Sequence, residues 1–139
     1  MPDSGDEISS AERFRRSYAK PQSEAERLVE LEVFGVFVGT DGYTTPTEAD
    51  RLVGHLGLDS GSFLLEIGSG RGYPGIYLAK RSGCRAVMTD VPIGSAWESN
   101  LNASRAGVGD RSTAASADGK ALPFAHWSFD SVVHSDVFC

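Results

Sequence analysis

Three glycines and three acids stand at spacings that suit the binding of a small ligand. Glu66-Ile67-Gly68-Ser69-Gly70-Arg71-Gly72 follows the apolar stretch Phe63-Leu64-Leu65, and Asp90 and Asp118 close two later stretches. Glycine lacks a Cβ and lets backbone approach a ligand closely, and a helix that opens after such a turn presents N–H groups without intrahelical partners. Gly68, Gly70 and Gly72 meet the first condition, and a helix beginning at Tyr73-Pro74 meets the second. An ordinary strand-to-helix connection rarely needs three alternate glycines, so the segment reads as a ligand cradle.

Gly70-Arg71-Gly72-Tyr73-Pro74-Gly75 also fits GxGxxG, the dinucleotide fingerprint. Its register counts against that ligand. The first glycine after the strand is Gly68, and the third fingerprint position then falls on Tyr73, too bulky for close helix–strand packing. Strand alternation turns Glu66 toward the crevice, where a carboxylate disfavours a pyrophosphate and suits a cationic ligand. Asp90 follows the glycines by about 20 residues, the spacing of an acid that grips ribose hydroxyls. That role serves any nucleoside. Asp118, beside Gly119, can accept from an adenine amino group or form a plain Asp-Gly turn. Three acids at three successive strand ends favour one shared crevice.

The elements that must position these residues are legible in the apolar spacing and the end signals. Residues 1–20 form a flexible polar leader, 21–57 an N-terminal helical segment and 58–139 the nucleotide-binding domain. Ser23 and Glu26 make a capping-box pair for a first helix with the apolar set Leu28, Val29, Leu31 and Phe34; Gly35 and Gly39 interrupt its continuation. Thr45, Pro46 and Glu48 open the next helix, whose stripe Ala49, Leu52, Val53 and Leu56 is stopped by Gly57. From there strands and helices alternate: strand 63–67, helix 74–81 before Gly83, strand 86–89, helix 95–106 with Ser95 and Glu98 as a capping box, strand 112–117 and strand 129–134. This order predicts an α/β fold with a parallel sheet.

Composition narrows the classes. The 139 residues are one domain at most, and a net charge of -6 argues against a nucleic-acid footprint. The only basic cluster, Arg13, Arg15 and Arg16, is interleaved with Glu12 and reads as a solvated helix face. No apolar run approaches the roughly 20 residues of a membrane span, and Asp3, Asp6 and Glu7 rule out a signal peptide, so the expectation is cytoplasmic. Cys84 and Cys139 have no metal spacing and read as free thiols; no metal is expected.

Leu65-Glu66-Ile67-Gly68-Ser69-Gly70-Arg71-Gly72 resembles the first motif of class I S-adenosylmethionine-dependent methyltransferases, and Asp90 matches their ribose-binding acid. Ala117-Asp118-Gly119, Leu122-Pro123-Phe124 and Ser128-Phe129-Asp130-Ser131-Val132-Val133 resemble later motifs of the small-molecule-modifying, type 11-like subgroup. The resemblance covers about residues 43–139. It implies a Rossmann-like three-layer α/β/α fold, S-adenosyl-L-methionine as cofactor and a small-molecule methyl acceptor. It places Glu66 near the methionine amino group, packs Gly68, Ser69, Gly70 and Gly72 against the cofactor, puts Asp90 at the ribose and counts Val91 among the cofactor-binding residues. It further places Asp118 and Gly119 at adenine and His134 beside the sulfonium; Tyr43 and Thr44 resemble a segment that folds over the cofactor.

Family members continue with three more strands, so the resemblance implies a chain truncated after strand four, with that strand at an open edge through which self-association can occur. Such a chain is expected to bind cofactor weakly and to turn over little or nothing. If the acceptor must lose a proton, His134 and Asp136 are the candidate bases. His55 reads as surface, His126 and Trp127 as packed, and Trp97 as covering adenine or joining the core. An NAD(P)-dependent oxidoreductase and a non-catalytic nucleotide-binding fragment remain as alternatives.

Overall fold

The computed structural model describes residues 9, 12–13, 16–17, 20–35, 37, 39–40, 42–135 and 137. Most of the polar leader, together with Asp136 and Cys139, lies outside the described residues. In chain order the elements are α1 (Glu24–Phe34), α2 (Pro46–Leu56), β1 (Phe63–Ile67), α3 (Gly75–Ser82), β2 (Arg85–Asp90), α4 (Ile93–Arg105), β3 (Ser112–Ser116) and β4 (Ser131–His134).

The local end signals are realised at α1 and α2. Both carry a complete capping box, from Ser23 and Glu26 and from Thr45 and Glu48, and both stop at a glycine in the left-handed region, Gly35 and Gly57. The expected box of α4 does not form. That helix begins at Ile93, two residues early, so Ser95 falls inside its first turn and Glu98 is drawn into a long-range ion pair. The apolar set of α1 is not a buried stripe: Leu28, Val29 and Leu31 are exposed, Phe34 is half-buried, and the fully buried residue is Glu30. Glu30 turns inward because its carboxylate accepts from Gln22 Nε2 and from the Thr40 backbone N–H.

The four strands are all parallel in the order β3-β2-β1-β4. Register places Leu64 beside Ala86 and Glu66 beside both Met88 and Val133, so these share one face. On that face lies the main core, with Ala49 of α2, Ile76 and Leu78 of α3, Ala103 of α4 and Val108. The larger of these side chains, Ile76, Leu78 and Val108, contribute about 1.5–3 kcal/mol each. The opposite face carries Leu65 and Val87 and is covered by the β3–β4 connection. Phe129 meets Phe63 at 4.7 Å and Phe124 at 5.0 Å, while the Arg85 guanidinium lies 4.4 Å over the Phe63 ring. Among the described residues, then, the expected Rossmann-like α/β fold is a parallel sheet of four strands whose helices α2, α3 and α4 pack on one face.

The two edges of this sheet differ. At β3 the Asn100 side chain accepts from Ala114 N–H and donates to the Ala114 carbonyl, both at 2.9 Å, occupying the outward ladder groups. Among the described residues no strand pairs with the outer side of β4, and Val132 is 54% exposed. Such an edge is a template for further strand pairing.

Trp127 departs from its expected packing. It is fully exposed and stands at φ 62, in the left-handed region that a bulky side chain adopts at a cost of about 1–2 kcal/mol. Trp127→Asn removes that strain without losing buried area. Its melting temperature is expected to rise by about 4 °C in a thermal scan, and an unchanged or lower value would refute the account.

Candidate functional site

The glycine turn leaves β1 with Gly68, Gly70 and Gly72 all at positive φ. At Gly72, φ 107, a Cβ would also run into the side chains of Ile76 and Ser99. The turn is held to β2 by its own N–H groups. Gly68 and Ser69 donate to the Thr89 carbonyl at 2.8 and 3.0 Å and Gly70 to Asp90 Oδ2 at 2.7 Å, while Gly72 closes the turn on itself by donating to the Ser69 carbonyl at 2.8 Å.

The helix that follows does not present the open N-terminus its sequence predicts. Gly75 N–H donates to Glu66 Oε2 at 2.9 Å, so a buried carboxyl group occupies the position where an anionic ligand would bind. Gly75 is fixed by that contact, because a Cβ there would collide with the Glu66 carboxylate and lie 2.9 Å from Met88 Cγ.

Glu66 therefore departs from the expectation that it faces the crevice. Its side chain is 0% exposed beneath α3, and Oε1 has no hydrogen-bond partner. Burial pushes its pKa up to about 8, against the lowering effect of the Gly75 hydrogen bond, and the nearby Asp90 charge raises it further. Alternation fixed only that Glu66 and Ile67 lie on opposite faces; packing of α3 decided which face is closed.

A crevice of about 290 Å³ opens at the carboxyl ends of β1, β2 and β3, lined by Gly68, Asp90, Val91, Asp118, Gly119 and Lys120, with Val137 beside them. Five residues singled out in the sequence thus meet in one place: Gly68, Asp90, Val91, Asp118 and Gly119. Asp90 is oriented by two backbone donors, Gly70 N–H on Oδ2 and Val91 N–H on Oδ1, each at 2.7 Å. Asp118 takes the Lys120 N–H on Oδ1 at 2.9 Å, so it both forms the Asp-Gly turn and lines the crevice.

The other expected site residues lie elsewhere. Ser69, Gly70 and Gly72 are buried and shape the turn from beneath. His134 is exposed at the end of β4, in register with Ile67, and is not among the lining residues. Tyr43 is exposed and lines a separate groove with Thr44, Arg51 and His55, because α2 packs on α3 and not over the crevice. Trp97 is exposed on α4 and joins no core; His55 and His126 are exposed too. Lys120 and Val137 were not singled out in the sequence, having neither periodicity nor motif to mark them.

Among the described residues no group of three or more His, Cys, Asp or Glu is placed to hold a metal ion, and no helix is long and apolar enough to cross a membrane. The described cysteine, Cys84, is a buried free thiol whose pKa is raised by burial.

Residues 65–139 match a protein family described as "Methyltransferase domain". Solved structures share the fold. A S-adenosyl-L-methionine-dependent methyltransferase from Geobacter sulfurreducens, in complex with S-adenosyl-L-homocysteine, is 28% identical, with a TM-score of 0.52 over 58% of this chain and 32% of that one. An RNA methyltransferase from Salinibacter ruber, in complex with the same molecule, is 28% identical, with a TM-score of 0.52 over 55% of this chain and 50% of that one. A geranyl diphosphate C-methyltransferase from Streptomyces coelicolor A3(2) is 18% identical, with a TM-score of 0.61 over 81% of this chain and 50% of that one. The chain thus spans half or less of the length of each of these structures.

Proposed function

The chain belongs to the methyltransferase domain family, and from that premise we propose that it binds S-adenosyl-L-methionine in the crevice at the ends of β1, β2 and β3, in the service of methyl transfer to a small molecule. The observation that carries this reading is the closure of the α3 N-terminus by Glu66, which leaves Asp90 and Asp118 as the acids of the crevice. Ribose hydroxyls and an adenine amino group are donors, and carboxylates accept from them. A dinucleotide would bring a pyrophosphate to a helix end that is already occupied and to a crevice with two acids.

In this reading Asp90 holds the ribose and Asp118 the adenine amino group, with Val91 and Gly119 against the nucleoside. Gly68 admits the ligand close to the backbone, while Glu66, Ser69, Gly70 and Gly72 fix the turn from below. The bound cofactor supplies an electrophilic methyl group, so the protein's task is to hold donor and acceptor in line. His134 and Asp136 are the candidates to take a proton where the acceptor must lose one.

The net charge of -6 supports a small-molecule acceptor over a nucleic acid. The free thiol of Cys84 fits a cytoplasmic setting. Exposure of Val132 on the free edge of β4 supports self-association there. Titration calorimetry tests the central claim. S-adenosylhomocysteine is expected to bind one per chain and NADH to give no binding heat. Binding of NADH without S-adenosylhomocysteine would overturn the reading in favour of an oxidoreductase.

A further inference from the structure

Arg71 belongs to the glycine turn, yet its side chain is engaged away from the crevice. It is 8% exposed, and Nε donates to Glu98 Oε2 at 3.0 Å in an ion pair buried on both sides. Its Nη2 reaches the carbonyls of Lys20 at 3.1 Å and Ser17 at 3.4 Å. Glu98 extends the connection, since Oε1 accepts from the Gln22 backbone N–H at 3.0 Å. Gln22 Nε2 then donates to Glu30 Oε2 at 3.3 Å, and Glu30 Oε1 takes the Thr40 N–H at 3.1 Å.

The main chain of Arg71 is gripped as well. Its carbonyl accepts from Asn102 Nδ2 at 3.0 Å, and Gly39 packs so closely that a Cβ there would lie 2.8 Å from that carbonyl. One residue of the turn thus joins α4 to the segment that carries α1. Apolar burial does little to hold α1 in its place, because Leu28, Val29, Leu31 and Val33 face solvent and only Phe34 is half-buried. Its attachment is the polar network, and that network ends beside Gly70, whose N–H orients the Asp90 carboxylate in the crevice.

We propose that Arg71 is a positioning residue for the crevice: through Glu98 it latches the α1 segment onto the glycine turn, so that cofactor affinity depends on that segment being docked. The proposal rests on the reading that the crevice binds S-adenosylmethionine. Coupling of this kind is reciprocal, so a ligand that needs the docked turn must also steady the latch.

Hydrogen exchange and calorimetry test it together. In the wild-type protein, S-adenosylhomocysteine is expected to slow exchange at α1 as well as around the turn. Arg71→Gln combined with Glu98→Gln removes both buried charges, so neither is stranded. It is expected to speed α1 exchange by about tenfold with β1 and β2 unchanged, and to weaken S-adenosylhomocysteine by about tenfold. Arg71→Lys, which keeps the charge on Glu98, should recover part of both losses. Unchanged α1 exchange in the double variant, or α1 released with affinity held within about twofold, would overturn the latch. If the double variant loses protection in β1 and β2 too, the wild-type comparison decides: α1 indifferent to ligand overturns the proposal. Failure of the wild type to bind S-adenosylhomocysteine sinks the cofactor reading instead, and exchange in the unliganded variants still tells whether Arg71 holds α1.

Discussion

Asp90→Asn is expected to weaken S-adenosylhomocysteine binding by at least about 100-fold, since charge-assisted hydrogen bonds contribute about 1.5–3 kcal/mol each and a ribose offers two hydroxyls. Asp90 is the acid of the crevice whose two oxygens are both aimed by backbone donors, Gly70 and Val91. An asparagine of the same shape loses the charge and can accept at one terminal atom only. It therefore keeps one of the two backbone contacts, and its amide nitrogen faces a second N–H. A modest fall in melting temperature should accompany the loss, so affinity is to be measured by calorimetry well below the transition. Affinity within about threefold of wild type, where a single neutral hydrogen bond is worth ~1 kcal/mol, would remove Asp90 from the binding role proposed for it.

The second large effect concerns Glu66, which is buried without a partner for Oε1 and titrates near pH 8 rather than at the usual carboxylate value of 4.5. The folded protein holds that proton more tightly than the unfolded chain does. Its contribution to stability is therefore fully present below pH 4.5 and is lost as pH rises toward 8. At about 1.4 kcal/mol per pH unit for one proton, the loss across that window amounts to several kcal/mol. Glu66→Gln is neutral throughout and can still accept from Gly75 N–H through its amide oxygen. Denaturant melts from pH 5 to pH 8.5 should show a smaller decline for the variant than for wild type, with the variant the more stable protein at the upper end. Equal slopes for the two proteins would show that Glu66 does not titrate in this window.

Glu66 also marks where the sequence stops being informative. Its parity on β1 was legible, as was its position two residues before Gly68. Which face of the sheet α3 would close was not, because that depends on a helix packing across two strands. The same division separates Ser23 and Thr45 from Ser95. All three have a glutamate three residues on, but only at the first two is the helix free to start where its cap stands. Glu98 is instead taken by Arg71, 27 residues away, and by the Gln22 backbone, 76 residues away.

By itself the sequence determined the parallel α/β order, the element ends with glycine stops, the three-glycine turn and the acids Asp90 and Asp118 at successive strand ends. These follow from interactions within a turn of helix or a step of strand, which residue type and spacing encode directly. Only the tertiary structure decided that Glu66 lies under the turn instead of in the crevice and that Tyr43 stands apart from it. It alone showed that Arg71 fastens the α1 segment to the turn and that helices cover one face of the described sheet. Each of these is a choice between partners distant in the chain, settled by which groups lose water together, and no local pattern records that choice.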